Sequence, residues 1–85
     1  MSEFGYHSKF IQKGEYGEFS KIEEEYKELE DIWSNTQNRV LTACELSDLY
    51  GAMEAFAEKT LNIPMNEIVK MSNLTKDVYD SRSIK

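Results

Sequence analysis

Five acids in two short clusters are the residues of this chain whose type and spacing suit them to chemistry. Glu24, Glu25 and Glu28 fall in one stretch, and Glu45 and Asp48 in another. Residues three or four apart lie side by side on a helix, so Glu24 with Glu28, Glu25 with Glu28, and Glu45 with Asp48 form carboxylate pairs wherever the backbone is helical. Like charges so placed repel. The positions three and four residues from Glu28 are Glu24, Glu25, Asp31 and Ile32, so no lysine or arginine there neutralises it. With Leu41 as reference direction, Glu45 falls about 40° to one side and Asp48 about 20° to the other, inside the arc of Cys44, Leu49, Ala52 and Phe56. Both acids are therefore expected on a core face. An ionised carboxylate buried without a partner costs several kcal/mol. Oxygen-only ligands select a hard dication, Mg²⁺ or Mn²⁺. The first cluster's helix shows no Arg or Lys on its apolar stripe, which favours a metal over a buried salt bridge. Taken alone, Glu23, Glu24 and Glu25 read as a solvated acidic face, with Lys21 pairing Glu25 and Lys27 pairing Glu23.

Three amphipathic patterns supply the elements that must position these acids. Phe19, Ile22, Tyr26, Leu29 and Trp33 recur at alternating spacings of three and four, which predicts a helix over about residues 18–34. Ser20 followed by Glu23 offers a capping box near its start. The polar run 35–38 then connects to a second helix over about 39–60, with either Asn or Thr36 as its cap and Leu41, Cys44, Leu49, Ala52, Ala55 and Phe56 on one side. Asn62, Ile63 and Pro64 break that helix. A third spans about 65–80 along Ile68, Met71, Thr75, Val78 and Tyr79. Residues 1–17, punctuated by Gly5, Gly14 and Gly17, read as an arm. The expected fold is one all-α domain over residues 1–85, an antiparallel helical hairpin with a third helix packed across it. Two chains would pair their helices into a four-helix core. Trp33 reads as core, and Tyr26, Met53, Met65 and Met71 as core or subunit interface. His7, a lone histidine in the arm, receives no role.

Composition narrows the partners. The 85 residues carry 16 Asp and Glu against 10 Lys and Arg, a net charge of −6 that repels a phosphate backbone, so no nucleic-acid polymer is expected. A lone core of this size supplies only a few kcal/mol, which points to a homo-oligomer or a bound metal as reinforcement. Cys44 is the only cysteine, excluding an intramolecular disulfide and a Cys-rich zinc site and favouring a reducing, cytoplasmic setting. No apolar run approaches the ~18 residues of a membrane span, so neither secretion nor membrane insertion is expected.

Glu24, Glu25 and Glu28 on one helix, with Glu45 and Asp48 on the next and a short turn between, resemble the MazG-like all-α nucleoside triphosphate pyrophosphohydrolases. The flanks Lys13-Gly14-x-x-Gly17-Glu18-x-Ser20-Lys21-Ile22, Glu45 through Ala55, and Lys70 through Lys76 look like the short, single-domain members found in bacteriophages. The resemblance runs from about Tyr6 onward. It implies Mg²⁺-dependent cleavage between the α and β phosphates of an NTP or dNTP, by a dimer or tetramer. It also implies Glu25, Glu28, Glu45 and Asp48 as metal ligands, with Glu24 as base or outer ligand and Glu25 beside it in catalysis. Lys13, Lys70 and Asn73 are the candidates for substrate contacts, and Trp33 and Tyr50 have faces on which a base can stack. Many longer relatives carry a basic pattern after the third helix, where Arg82 is this chain's only arginine. Two other classes fit the same residues: a helical nucleotide-binding or regulatory protein that does not hydrolyse, and an acidic structural bundle.

Overall fold

The polar run between the first two apolar stripes sets the hairpin. The computed structural model describes residues 10–83, with α1 at Phe19–Thr36, α2 at Arg39–Lys59 and α3 at Met65–Ser83. All described regular structure is helical. Positions 1–9 of the expected arm, His7 among them, lie outside the described residues, as do Ile84 and Lys85. Asn38 caps α2, its side chain accepting the Leu41 N–H at 3.0 Å. Thr36 instead closes α1, donating its hydroxyl to the Ile32 carbonyl at 2.7 Å and accepting the Asn38 N–H at 3.0 Å. Between them Gln37 takes a left-handed backbone, φ 50°, and its N–H reaches the Trp33 carbonyl at 3.2 Å. The chain thereby reverses within Gln37 and Asn38. At the second break Asn62 is also left-handed, φ 59°, and the Pro64 carbonyl accepts the Glu67 N–H at 3.0 Å as α3 begins.

The capping box expected at α1 does not form. Glu18 is the N-cap and makes no side-chain cap bond. The Ser20 hydroxyl accepts the Glu15 N–H at 3.0 Å, so the tight turn of the arm takes the group that would have capped the helix.

α1 and α2 pack along one another, whereas α3 touches only α2 among the helices. The buried apolar residues are Ile32, Ala52, Ala55 and Ala57, and the small alanines let the two helices approach closely. Their arrangement overturns the expected seam of α1. Phe19, Tyr26 and Trp33 are exposed, while Glu24, Glu25, Glu28, Asp31 and Ile32, on roughly the opposite side, are buried. One neighbouring helix covers one face, and α2 covers the acidic one. Trp33 is consequently not core. The other stripes are likewise only partly covered. Leu41, Leu49, Phe56 and Ile68 are half-buried, whereas Cys44, Met53, Met71, Thr75, Val78 and Tyr79 are exposed. Phe19 keeps an edge-to-face contact with Phe56, centroids 5.8 Å apart. An open apolar groove of about 460 Å³, with Met53, Phe56, Leu61, Met65 and Ile68 in its walls, separates α3 from the hairpin. No described helix is long and apolar enough to cross a membrane.

Because Asn38 satisfies an otherwise orphaned N–H at the start of α2, Asn38→Ala is expected to lower stability by about 1 kcal/mol. Urea unfolding measures this, with an unchanged midpoint arguing against the cap.

Candidate metal centre

Glu24, Glu25 and Glu28 stand on the α2-facing side of α1, and Glu45 enters from α2; each is less than a tenth exposed. One carboxylate oxygen from each of Glu24, Glu25 and Glu28 lies within 4.8 Å of the other two, and the same limit holds for Glu25, Glu45 and Asp48. Glu25 belongs to both groups, so the acids of the two helices converge on it. Opposed oxygens of a Mg²⁺ site are about 4.2 Å apart, which a small inward shift of these side chains would reach. Glu25 Oε1 is also buried with no hydrogen-bond partner.

Asp48 departs from the core-face expectation, being exposed. It stands at a cleft of about 390 Å³ lined by Tyr16, Lys21, Glu25, Ser47, Asp48, Gly51 and Ala52. Gly51 puts no side chain there, and a β-carbon added to it would meet nothing within 4 Å. Helical period gives a residue's direction but not whether a neighbour closes over it.

The acids have counter-charges within the chain. Lys21 Nζ lies 3.0 Å from Glu24 Oε1 and 3.0 Å from Glu25 Oε2. The Lys21–Glu25 pair is the one their spacing predicts; the ammonium also reaches Glu24, from a position off the apolar stripe and one turn before both glutamates. The arm contributes a second donor, the Gly14 N–H, at 2.8 Å from Glu24 Oε1. A β-carbon at position 14 would run into the Ser20 carbonyl, so only glycine allows this approach. The Thr60 hydroxyl donates to the Gly17 carbonyl at 2.7 Å, and the Lys59 ammonium lies 5.5 Å from the Tyr16 ring centroid; both tie the arm to the end of α2. Asp31, 2% exposed, accepts the Asn35 side-chain amide at 2.7 Å.

These surroundings set the protonation of the cluster. Burial, then the charges of Glu25, Glu45 and Glu24, push the Glu28 carboxyl up to about 8. Burial would also raise Glu24, but the Gly14 N–H and the Lys21 ammonium outweigh it and hold Glu24 below the usual carboxylate range. For Lys21 burial acts downward, and its bonds to Glu24 and Glu25 prevail, raising it to about 12. The cluster therefore holds ionised Glu24, cationic Lys21 and a protonated Glu28 side by side.

The candidate substrate residues divide. Lys13 shares a hollow of about 120 Å³ with Gln12, Ser20, Glu23, Glu24 and Lys27, beside the acids. Lys70 and Asn73 are exposed on α3, with Lys70 Nζ 3.7 Å from Glu67, and α3 makes no contact with α1. One chain does not bring these two to the cluster. Tyr50 lines the apolar groove rather than the cleft. Gly14 and Asp31 join these surroundings without being expected from the sequence, and Lys21 bonds two of the acids rather than one. Lys21 was legible from its three- and four-residue spacing to Glu24 and Glu25, whereas nothing local marks a backbone N–H ten residues away.

The folded protein holds the Glu28 proton more tightly than the unfolded chain does. Its contribution to stability is thus complete below about pH 4.5 and is lost as the pH rises through about 8. The depressed Glu24 acts oppositely, but only below its ordinary range. In EDTA the melting temperature is therefore expected to fall between about pH 5 and 8.5, and Glu28→Gln should flatten that slope. Thermal melts across this range decide it, and a flat wild-type profile contradicts the assignment.

No model of a known protein family, no curated protein and no solved structure matches this chain.

Proposed function

We propose that the protein is a Mg²⁺-dependent nucleoside triphosphate pyrophosphohydrolase, cleaving NTP or dNTP between the α and β phosphates to give the monophosphate and pyrophosphate. The observation that carries this reading is the convergence of buried carboxylates from two helices on Glu25, one of whose oxygens is buried without a hydrogen-bond partner. Glu25, Glu28, Glu45 and Asp48 would hold the ion, with Mn²⁺ as a substitute. Bound there, the ion supplies phosphate charge neutralisation and a water of lowered pKa. Glu24, held by the Gly14 N–H, would serve as a general base or as an outer ligand. Lys13, beside Glu24, is placed to contact phosphate oxygens.

The working unit in this reading is a cytoplasmic homodimer or homotetramer, within the host cell where the chain is phage-encoded. Support comes from the uncovered side of the hairpin, where Tyr26, Leu29, Trp33 and Leu46 line an open, mostly apolar hollow of about 470 Å³. Lys70 and Asn73 reach the acids only if a second copy supplies them. Their distance from the site in one chain favours a second reading, a nucleotide-binding or regulatory protein of the same fold that does not hydrolyse.

Incubating the protein with each NTP and dNTP plus Mg²⁺ should yield monophosphate and pyrophosphate; orthophosphate with diphosphate contradicts the cleavage site, and binding without turnover selects the second reading. Glu45→Ala is expected to reduce turnover about a hundredfold or more. In light scattering the wild type should have the mass of two or four chains, and Trp33→Glu should shift it toward one. A monomeric wild type would refute the assembly.

A further inference from the structure

A cation already stands in the acidic cluster. The Lys21 ammonium bridges Glu24 Oε1 and Glu25 Oε2 at 3.0 Å each, and both carboxylates belong to the groups whose oxygens gather closely enough to hold an ion. The bridge uses only one oxygen of Glu25; the other is buried and has no hydrogen-bond partner. The cluster is thus partly neutralised by a monocation attached through a flexible stem, with donor capacity left over.

From this arrangement we propose that Lys21 is the resident cation of the metal-free centre, and that loading a divalent ion exchanges it, turning its ammonium away from Glu24 and Glu25 into the adjoining cleft. The inference rests on the metal-centre reading above and adds a conformational step to it. A dication on Glu25, Glu28, Glu45 and Asp48, beside Glu24, would take up the Glu25 oxygen charge that holds the ammonium and would repel the ammonium itself. Two features give the lysine somewhere to go. Its side chain is a quarter exposed, whereas those of Glu24 and Glu25 are almost wholly enclosed. It also lines the cleft of about 390 Å³ beside Ser47, Asp48 and Gly51, where Gly51 leaves open space. Glu24 remains held after the exchange, because the Gly14 N–H also donates to its Oε1, at 2.8 Å. The burial of two acids on α1 is then tolerated in both states, by an ammonium without metal and by the ion with it. The displaced ammonium would face the mouth of the site, where an anionic phosphate chain must enter.

Amine-reactive acetylation of the full-length protein, read by mass spectrometry with and without Mg²⁺, tests the exchange directly. Lys21 is expected to be slow to label in EDTA and about fivefold or more faster with saturating Mg²⁺, while exposed Lys70 labels at one rate throughout. Equilibrium dialysis with Mn²⁺ forms the second arm. Lys21→Met should bind the ion about fivefold or more tightly than wild type, and Lys21→Arg, which keeps a forked cation on the carboxylates, more weakly. If Lys21→Met does not fold, the labelling and the Lys21→Arg comparison still decide. Metal binding with unchanged Lys21 labelling overturns the exchange and leaves the metal centre standing. Absence of Mn²⁺ binding by the wild type and both variants overturns the metal centre, and the exchange with it.

Discussion

The structure is organised around the burial of carboxyl groups between two helices. Glu24, Glu25, Glu28 and Asp31 on α1 and Glu45 on α2 are all less than a tenth exposed, in a chain whose net charge is already −6. Burying so many acids together is unfavourable unless each is protonated, hydrogen-bonded or matched by a cation. All three remedies are present. Glu28 keeps a proton, Asp31 accepts the Asn35 amide, and Glu24 and Glu25 share the Lys21 ammonium. The alanines at positions 52 and 55 add to the constraint, since side chains this small bring α2 near enough to enclose the acids.

The segment before α1 is part of the same device. Gly14 lays its N–H against Glu24 because a glycine there can lie on the Ser20 carbonyl. Gly17, at φ 95°, turns the chain so that its carbonyl meets the Thr60 hydroxyl at the far end of α2. A substituted residue 17 would be strained in that conformation and would press on the Lys59 side chain. Through these backbone groups the arm ties the start of α1 to the end of α2.

Enclosing the acids leaves much of the apolar stripes only partly covered. A helix hairpin has one internal face, and here it is given to carboxylates rather than to Phe19, Tyr26 and Trp33. The two halves of the molecule are linked by this choice. A core of Ile32 and three alanines stabilises the hairpin only weakly, while the exposed aromatic and aliphatic residues carry most of the apolar surface available for association. The buried acids and the largest exposed apolar side chains of α1 thus lie on different faces of that helix.

Much of this was legible in the residues themselves. The three helices, the breaks at Asn38 and Pro64, and the pairing of acids three and four apart follow from periodicity and turn chemistry, which are local properties of the chain. The inward direction of Glu45 also follows from angular arithmetic, because a helix fixes direction about its axis. Which face of α1 lies inside was decided only by tertiary structure, since a hydrophobic stripe states a preference but not which neighbour is near enough to satisfy it. The same holds for Asp48, which has a core-face direction but opens on a cleft beside Gly51, and for Lys70 and Asn73, which α3 carries away from the acids. Nor does any local pattern announce that the Gly14 N–H meets Glu24, because a backbone donor is the same at every position and only the folded path selects one.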